Sequence, residues 1–370
     1  MRIRILAISV LLILLPVLLR AGSVIPASDK RLVYVGRTLV EGGDVSFDWS
    51  STYVRVSFTG NSLGLRASDT RRDIFNVWLD REMSAEPDKV ISISSDTLLS
   101  LVVPDEVKTG KLKGKIHTVI IQKRTEGDQG TATFHEFLTS GEFTQANAMG
   151  PRVLEFVGDS YTCGYGSENS IPSQRYSPET QNPSKTYAAI LARYFDADFI
   201  TIAHSGQGVS RNYDDGDRRT HMPDRYGRTI DKNPQIKWTQ TEMPRPALTV
   251  VYLGTNDFST DRQPMRDVFK KDYIRLISQI KEYWGLDHPV LCVSSKVDPI
   301  LFEYVREVVE DCGYQRVYYT GFFNGIHQDN DQELGADWHP NYAAHRKLAY
   351  SLIPYVSTIT GWPLDSRPVE

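Results

Sequence analysis

Four short segments hold the residues whose types and order could do chemistry. They are "FVGDSYTCGYG" with Ser160, "AHSGQGVSRN" with Gly206, "GTNDFS" with Asn256, and "GADWHPN" with Asp337 and His339. A serine hydroxyl is a weak nucleophile and must pass its proton to a base as it attacks. His339 is the candidate base, because imidazole titrates close to neutrality. Asp337, two residues earlier, could hold that imidazole in the useful tautomer. Attack on a carbonyl creates an oxyanion, which needs preorganised donors worth about 3 kcal/mol each. The N–H of Ser160, the N–H of Gly206 and the side-chain amide of Asn256 can supply them. Glycine at position 206 suits close approach of backbone to ligand. Nucleophile, base and oxyanion donors together describe acyl transfer.

Each residue also has a plainer reading. Ser160 could cap a helix, Asn256 could form a turn, and Gly206 could serve strand–helix packing. His339-Pro340 could simply open the last helix, and Asp337 could be its cap. Cys163 is an alternative nucleophile, but Ser160 has the better context. A metal held by Asp337 and His339 lacks any further His or Cys at ligand spacing, and neither metal nor cofactor is expected. The order and placement of all four segments favour the chemical reading.

Those segments need elements to carry them. "RVLEFVG", "DFITIAHSG", "ALTVVYLGTND", "PVLCVSSK" and "RVYYTGFF" are near-continuous apolar runs, as in strands buried on both faces. Between them lie "SKTYAAILARYF", with Ser184 as the expected N-cap, "MRDVFKKDYIRLISQIKEYWG" and "PILFEYVREVVEDCG". "NYAAHRKLAYSLIPYV" closes the chain. Alternating strands and helices predict a parallel five-stranded sheet covered on both faces over residues 150–365. Ligands of such sheets sit beyond the carboxyl ends of the strands, where the four segments fall.

Residues 28–145 read differently. "DVSFDWSSTYVRVSFTG", "SLGLRAS", "DIFNVWLD", "KVISISS" and "KIHTVIIQKRT" alternate with period two and are separated by Gly, Asn, Asp and Pro. Short strands at this spacing predict an all-β sandwich or barrel. "FTGNSLGL" reads as a hairpin around Gly60-Asn61, and "QANAMGP" (Gln145 to Pro151) as a linker.

The 370 residues exceed one average domain, and 40% hydrophobic with 24% charged residues is ordinary globular composition. A formal net charge of −4 without a basic run speaks against a nucleic-acid partner. Arg2 and Arg4 precede "ILAISVLLILLPVLL" and then "RAGS". A positive start, a short apolar run and small residues predict a secretory signal over 1–22 and a secreted or periplasmic protein. The run is short of the about 20 residues of a membrane span, and no stable membrane partner is expected. The alternative is an uncleaved anchor, since no clean Ala-x-Ala site follows. Three cysteines, Cys163, Cys292 and Cys312, allow at most one bridge.

In order, "GDSYTCGYG", "SGQG", "GTND" and "DWHPN" resemble the four sequence blocks of the SGNH (GDSL-like) hydrolase superfamily. The resemblance implies Ser160 as nucleophile, Gly206 and Asn256 as oxyanion donors, and His339 as base. Before it, "YVGRTL", "VSFDWSSTYVRVSFTGNSLGL", "VWLD" and "HTVIIQKRTE" resemble the N-terminal part of carbohydrate esterase family two, of the acetyl xylan esterase type. That family joins a jelly-roll β-sandwich to a three-layer α/β SGNH domain and removes acetyl groups from plant polysaccharides. Many SGNH enzymes carry an acid three residues before the histidine, but here Ala336 stands there. The resemblance therefore leaves open whether the Asp337 carboxylate or a main-chain carbonyl orients His339. It also places Trp338 at the cleft as a platform for a sugar ring. The expected substrate is an acetylated polysaccharide or oligosaccharide, such as xylan or glucomannan. The alternatives are an SGNH lipase or thioesterase, and an inactive carbohydrate-binding protein. The polar stretch from Ser210 to Thr229 favours a polar substrate over an acyl chain.

Overall fold

A computed structural model describes residues 22–108, 115–215, 220–239, 243–295, 299–321 and 332–366. Apart from Gly22, the expected leader at 1–22 lies outside the described residues. Among them, no helix is long and apolar enough to cross a membrane.

The period-two pattern of the N-terminal half is realised as two antiparallel sheets. One runs Leu39–Glu41, Asp44–Phe47, Ala132–Thr139, Leu63–Asp69, Thr97–Val102, with Ser23–Pro26 also paired to Ala132–Thr139. The other runs Phe143–Thr144, Tyr53–Phe58, His117–Lys123, Asp73–Leu79, Lys89–Ile93, with Val33–Val35 also on Tyr53–Phe58. Their inward residues, among them Phe47, Phe58, Leu65, Phe75, Val77 and Phe134, form one buried core. The Gly60-Asn61 turn is not the hairpin its local sequence suggests. Tyr53–Phe58 pairs with His117–Lys123, whereas Leu63–Asp69 pairs with Ala132–Thr139 in the other sheet. Phe58 and Leu63 are both fully buried, so the turn carries the chain across the core. Gly60 is needed because a Cβ there would lie 2.5 Å from the Gly141 nitrogen.

The C-terminal half is a three-layer α/β domain with five parallel strands. Their order is Asp198–Ala203, Val153–Gly158, Leu248–Tyr252, Val290–Ser294, Val317–Gly321. Alternate residues go to opposite faces, as a pleated strand requires. Val153, Val157, Ile200, Ile202 and Val251 join the helices Arg266–Trp284 and Pro299–Asp311. Leu154, Phe156, Leu248 and Val250 join Tyr187–Tyr194 and Tyr342–Thr360. The chain direction across the sheet reverses at the Val153–Gly158 strand. This is the switch point where open α/β sheets form a crevice at their carboxyl ends.

The helix expected to start at Ser184 starts later. Asn182 caps a 3-10 turn over Pro183–Lys185, and Thr186 is the N-cap of Tyr187–Tyr194. The Ser184 hydroxyl is spent elsewhere: it donates to Gln122 Oε1 of the sandwich at 2.6 Å.

The halves share a polar seam. Glu155, fully buried on the Val153–Gly158 strand, accepts from Thr249 Oγ1 at 2.8 Å, Trp284 Nε1 at 3.0 Å and Tyr226 OH at 3.1 Å. Arg37 of the sandwich lies 3.8 Å from it, both side chains being almost wholly buried. Burial pushes the Glu155 carboxyl upward, and Arg37 with these donors opposes it. Removing Arg37 would strand a buried charge, the costly way to break such a pair.

Candidate active site

Ser160 is lifted by a turn that only glycine permits. A Cβ on Gly158 would lie 2.0 Å from Thr162 Oγ1. Asp159 caps the short helix Ser160–Cys163, accepting the Tyr161 N–H at 3.1 Å, and Gly164 ends it at φ +80°. The hydroxyl of Ser160 therefore stands at the carboxyl end of the Val153–Gly158 strand.

His339 reaches it from the far end of the chain. Asn341 N-caps the last helix, accepting from Ala343 N at 2.9 Å. Its amide also donates to the carbonyl of Gln332 at 2.9 Å, which pins the preceding turn. His339 Nε2 lies 3.0 Å from Ser160 Oγ. His339 Nδ1 lies 3.0 Å from the main-chain oxygen of Asp337. A carbonyl oxygen can only accept, so Nδ1 carries the proton and Nε2 keeps its lone pair for the serine hydroxyl. Burial pulls the imidazole down to about 4, with the bond to Asp337 opposing it. The ring is thus neutral at pH 7, as a base must be.

Of the two groups left open for orienting the imidazole, the main-chain carbonyl of Asp337 faces it and the Asp337 carboxylate does not. Its Oδ2 accepts the Tyr176 N–H at 2.9 Å and the Tyr165 hydroxyl at 3.1 Å, and its Oδ1 accepts from Arg175 at 3.1 Å. Burial would raise this carboxyl, but those donors outweigh it and hold it low. The physical reason is the backbone. Asp337 and Trp338 both occupy the left-handed region, at φ +48° and +58°. This turns the carbonyl of residue 337 toward His339 and its side chain away. The pair is held by Asp337 N–H to the Gln174 carbonyl at 2.9 Å and Trp338 N–H to the Pro172 carbonyl at 3.2 Å. Such strain in a bulky residue persists where surroundings impose it, commonly at functional sites. Trp338 is 59% exposed beside the histidine.

The oxyanion donors behave differently from one another. Among the described residues, the Ser160 and Gly206 N–H groups have no protein acceptor. Gly206 sits at φ +76°, where an L residue would be strained. Asn256 Nδ2 donates to the Gln207 carbonyl at 2.9 Å and to Asp159 Oδ2 at 3.1 Å. An amide has two hydrogens, so Asn256 reaches an oxyanion only by sharing one. Those two bonds nevertheless bring the first three segments together around Asp159, Gln207 and Asn256.

Several residues around the site escaped the sequence reading. The Tyr165 ring lies 4.3 Å from the imidazole and stacks on Tyr176 at 3.9 Å. Asp257 is fully buried and accepts three N–H groups, of Val209, Ser210 and Arg211, at 2.8, 2.8 and 2.9 Å. It ties the third segment to the second. Tyr213, whose N–H donates to the Gly206 carbonyl at 2.8 Å, is 60% exposed at the rim. Tyr165 and Asp257 lie inside the quoted segments, but tyrosine and aspartate there read equally as packing and turn residues. All three cysteines are unbridged and buried. Among the described residues, no group of His, Cys, Asp or Glu is placed to hold a metal ion.

Comparison with known proteins agrees with this architecture. The GDSL-like Lipase/Acylhydrolase family matches residues 156–347, and the Carbohydrate esterase 2 N-terminal family matches residues 34–146. The chain is 32% identical over 326 residues to "Cellulase/esterase CelE" of Acetivibrio thermocellus, covering 85% of this chain but only 38% of that protein's length. It is 28% identical over 351 residues to an "Acetylxylan esterase / glucomannan deacetylase" of Cellvibrio japonicus, covering 88% and 90% of the two chains. Among solved structures, a family two carbohydrate esterase from Clostridium thermocellum in complex with cellohexaose superposes with a TM-score of 0.80. It is 29% identical and covers 90% of this chain and 100% of that one.

Proposed function

Starting from a chain that belongs to the GDSL-like lipase/acylhydrolase family, we propose that it is a carbohydrate O-acetyl esterase. The observation that carries this is the Ser160–His339 pair at 3.0 Å, with the imidazole held in the proton-accepting tautomer by a carbonyl. The relatives described as acetylxylan esterase and glucomannan deacetylase, and the neighbour bound to cellohexaose, support a carbohydrate substrate. So do two exposed aromatic side chains at the site, Trp338 and Tyr213, whose faces suit the C–H face of a sugar ring.

The reaction runs in two halves. His339 Nε2 takes the Ser160 proton while Oγ attacks the acetyl carbon. Charge develops on the carbonyl oxygen, where the Ser160 and Gly206 N–H groups stabilise it, and Asn256 braces the turn between them. The tetrahedral intermediate collapses as the imidazolium returns its proton to the departing sugar oxygen. A water then gives a proton to His339 and attacks the acetyl-serine, releasing acetate and restoring the hydroxyl. Tyr165, packed against the imidazole at 4.3 Å, restrains its tilt and covers that part of the ring. The positively charged, apolar leader expected at 1–22 supports an extracytoplasmic site of action.

The test is acetate release from acetylated xylan and glucomannan, and from 4-nitrophenyl acetate, by the chain and its Ser160→Ala variant. The variant should lose activity on all three. Trp338→Ala should lose activity on the polysaccharides and keep it on 4-nitrophenyl acetate. Equal release by wild type and Ser160→Ala would overturn the mechanism. Faster turnover of octanoate than acetate esters would favour a lipase instead.

A further inference from the structure

The residue before Gly206 is held by a carboxylate from the other half of the molecule. Glu126 follows the sandwich strand His117–Lys123 and is 3% exposed. Its Oε2 accepts the Ser205 N–H at 2.7 Å, and its Oε1 accepts the Ser205 hydroxyl at 2.6 Å. Oε2 also lies 3.6 Å from Cys163 Sγ, on the helix that Ser160 opens. One side chain therefore touches both segments whose N–H groups serve the oxyanion.

Its neighbours also reach across to the α/β domain. Arg124, also buried, donates to the Glu179 carbonyl at 3.0 Å and pairs with Glu168. Asp128 lies 3.3 Å from His204 Nε2. The sandwich thus grips the loops of the α/β domain with side chains of both signs.

Gly206 needs such a grip. Without a Cβ it rotates freely, so nothing in the residue itself fixes where its N–H points. Direction has to come from its two neighbours. On one side Tyr213 N–H binds the Gly206 carbonyl at 2.8 Å. On the other, Glu126 fixes both the N–H and the side chain of Ser205. A carboxylate this close would oppose a developing negative charge if its lone pairs faced it, but here both oxygens are engaged by donors.

We propose that Glu126 is a positioning residue for the oxyanion turn, supplied by the β-sandwich, so that the sandwich is part of the catalytic apparatus. This rests on the esterase reading above.

The experiment compares kcat and KM on 4-nitrophenyl acetate for the full chain, Glu126→Gln, Glu126→Ala and Ser205→Ala, with affinity for a phenylboronic acid that forms a tetrahedral adduct on serine. Gln keeps both bonds: its amide oxygen accepts the Ser205 N–H and its amide N–H donates to the Ser205 hydroxyl. Loss of a whole oxyanion donor lowers kcat about 10²–10³-fold, so misalignment by Glu126→Ala should lower it at least about tenfold. KM should stay within about threefold, because ground-state binding is untouched. Boronate affinity should fall with kcat, and Glu126→Gln should stay within about fivefold of wild type, its bonds being neutral rather than charge-assisted. A general packing role would lower melting temperature without this split. The proposal is overturned if folded Glu126→Ala keeps wild-type kcat, if boronate affinity does not change, or if Glu126→Gln is as impaired as Ala. Should Glu126→Ala not fold, Ser205→Ala removes the hydroxyl contact alone, and wild-type kcat there overturns it as well. An inert wild type would instead sink the esterase reading.

Discussion

Replacing Asp337 by Asn separates the two ways that residue could serve His339. Where a triad carboxylate holds the imidazole, Asp→Asn lowers kcat about 10⁴-fold, or about 5 kcal/mol of barrier. Here the group facing Nδ1 at 3.0 Å is the main-chain oxygen, which the substitution leaves in place. The side-chain oxygens instead bind Tyr176 N–H, Tyr165 OH and Arg175. With its amide oxygen at the Oδ2 position, Asn keeps the acceptor that the Tyr176 N–H and the Tyr165 hydroxyl share, and its amide nitrogen takes the place facing Arg175. The Arg175 side chain is 91% exposed, so solvent already screens that contact. Asn also tolerates the left-handed backbone at φ +48°. What is lost is charge assistance on two bonds, about 1 kcal/mol in all, so kcat should fall about five- to tenfold. Steady-state kinetics on 4-nitrophenyl acetate at pH 7, with near-UV circular dichroism to confirm packing, reads this directly. Asp337→Ala should do worse, because it leaves the Tyr176 N–H without its acceptor at about 1–3 kcal/mol. A loss of 10³-fold or more in folded Asp337→Asn would refute the carbonyl as the orienting group.

Two further outcomes follow from protonation. His339 must be neutral to act, and burial holds it near 4, so kcat/KM should stay level from pH 7 to about 5 and halve near pH 4; a midpoint near 6.5 would contradict the burial argument. Because the unfolded chain takes that proton first, the same residue makes stability fall as pH drops from 6.5 toward 4. His204 has the opposite sign. Burial works against its charge, but Asp231 at 2.6 Å and Asp128 at 3.3 Å outweigh it and raise it to about 9. Its contribution is full below pH 6.5 and is lost as pH rises through 9. The fall in melting temperature between pH 6.5 and 9 should shrink in His204→Gln; an unchanged slope would contradict it.

The parts of this molecule legible in sequence are those specified locally. Gly158 before Ser160, the apolar runs of the parallel strands, and Gly206 each carry their reason within a few residues. So did the order of the four segments, because a parallel sheet sends successive loops to one edge. What escaped was set by distant partners or by backbone direction. The reversal at Asp337 and Trp338 is imposed by carbonyls of Pro172 and Gln174, so residue types could not tell a carboxylate contact from a carbonyl one. Glu126 drew no reading of its own because Ser205, its partner, lies 79 positions away. Gly60-Asn61 carries a hairpin signal, but burial of Phe58 and Leu63 between two sheets decides the pairing. Ser184 looks like a cap until Gln122 claims its hydroxyl.

The central claim is that Ser160 attacks with His339 as its base and a main-chain carbonyl behind the imidazole. Mass spectrometry of peptides after treatment with a fluorophosphonate tests it most directly. A phosphonyl adduct should form on Ser160 alone, within about tenfold of the wild-type rate in Asp337→Asn, and be lost in His339→Ala. An adduct on Cys163 or another residue, or labelling of Ser160 that survives removal of His339 while failing in Asp337→Asn, would contradict it.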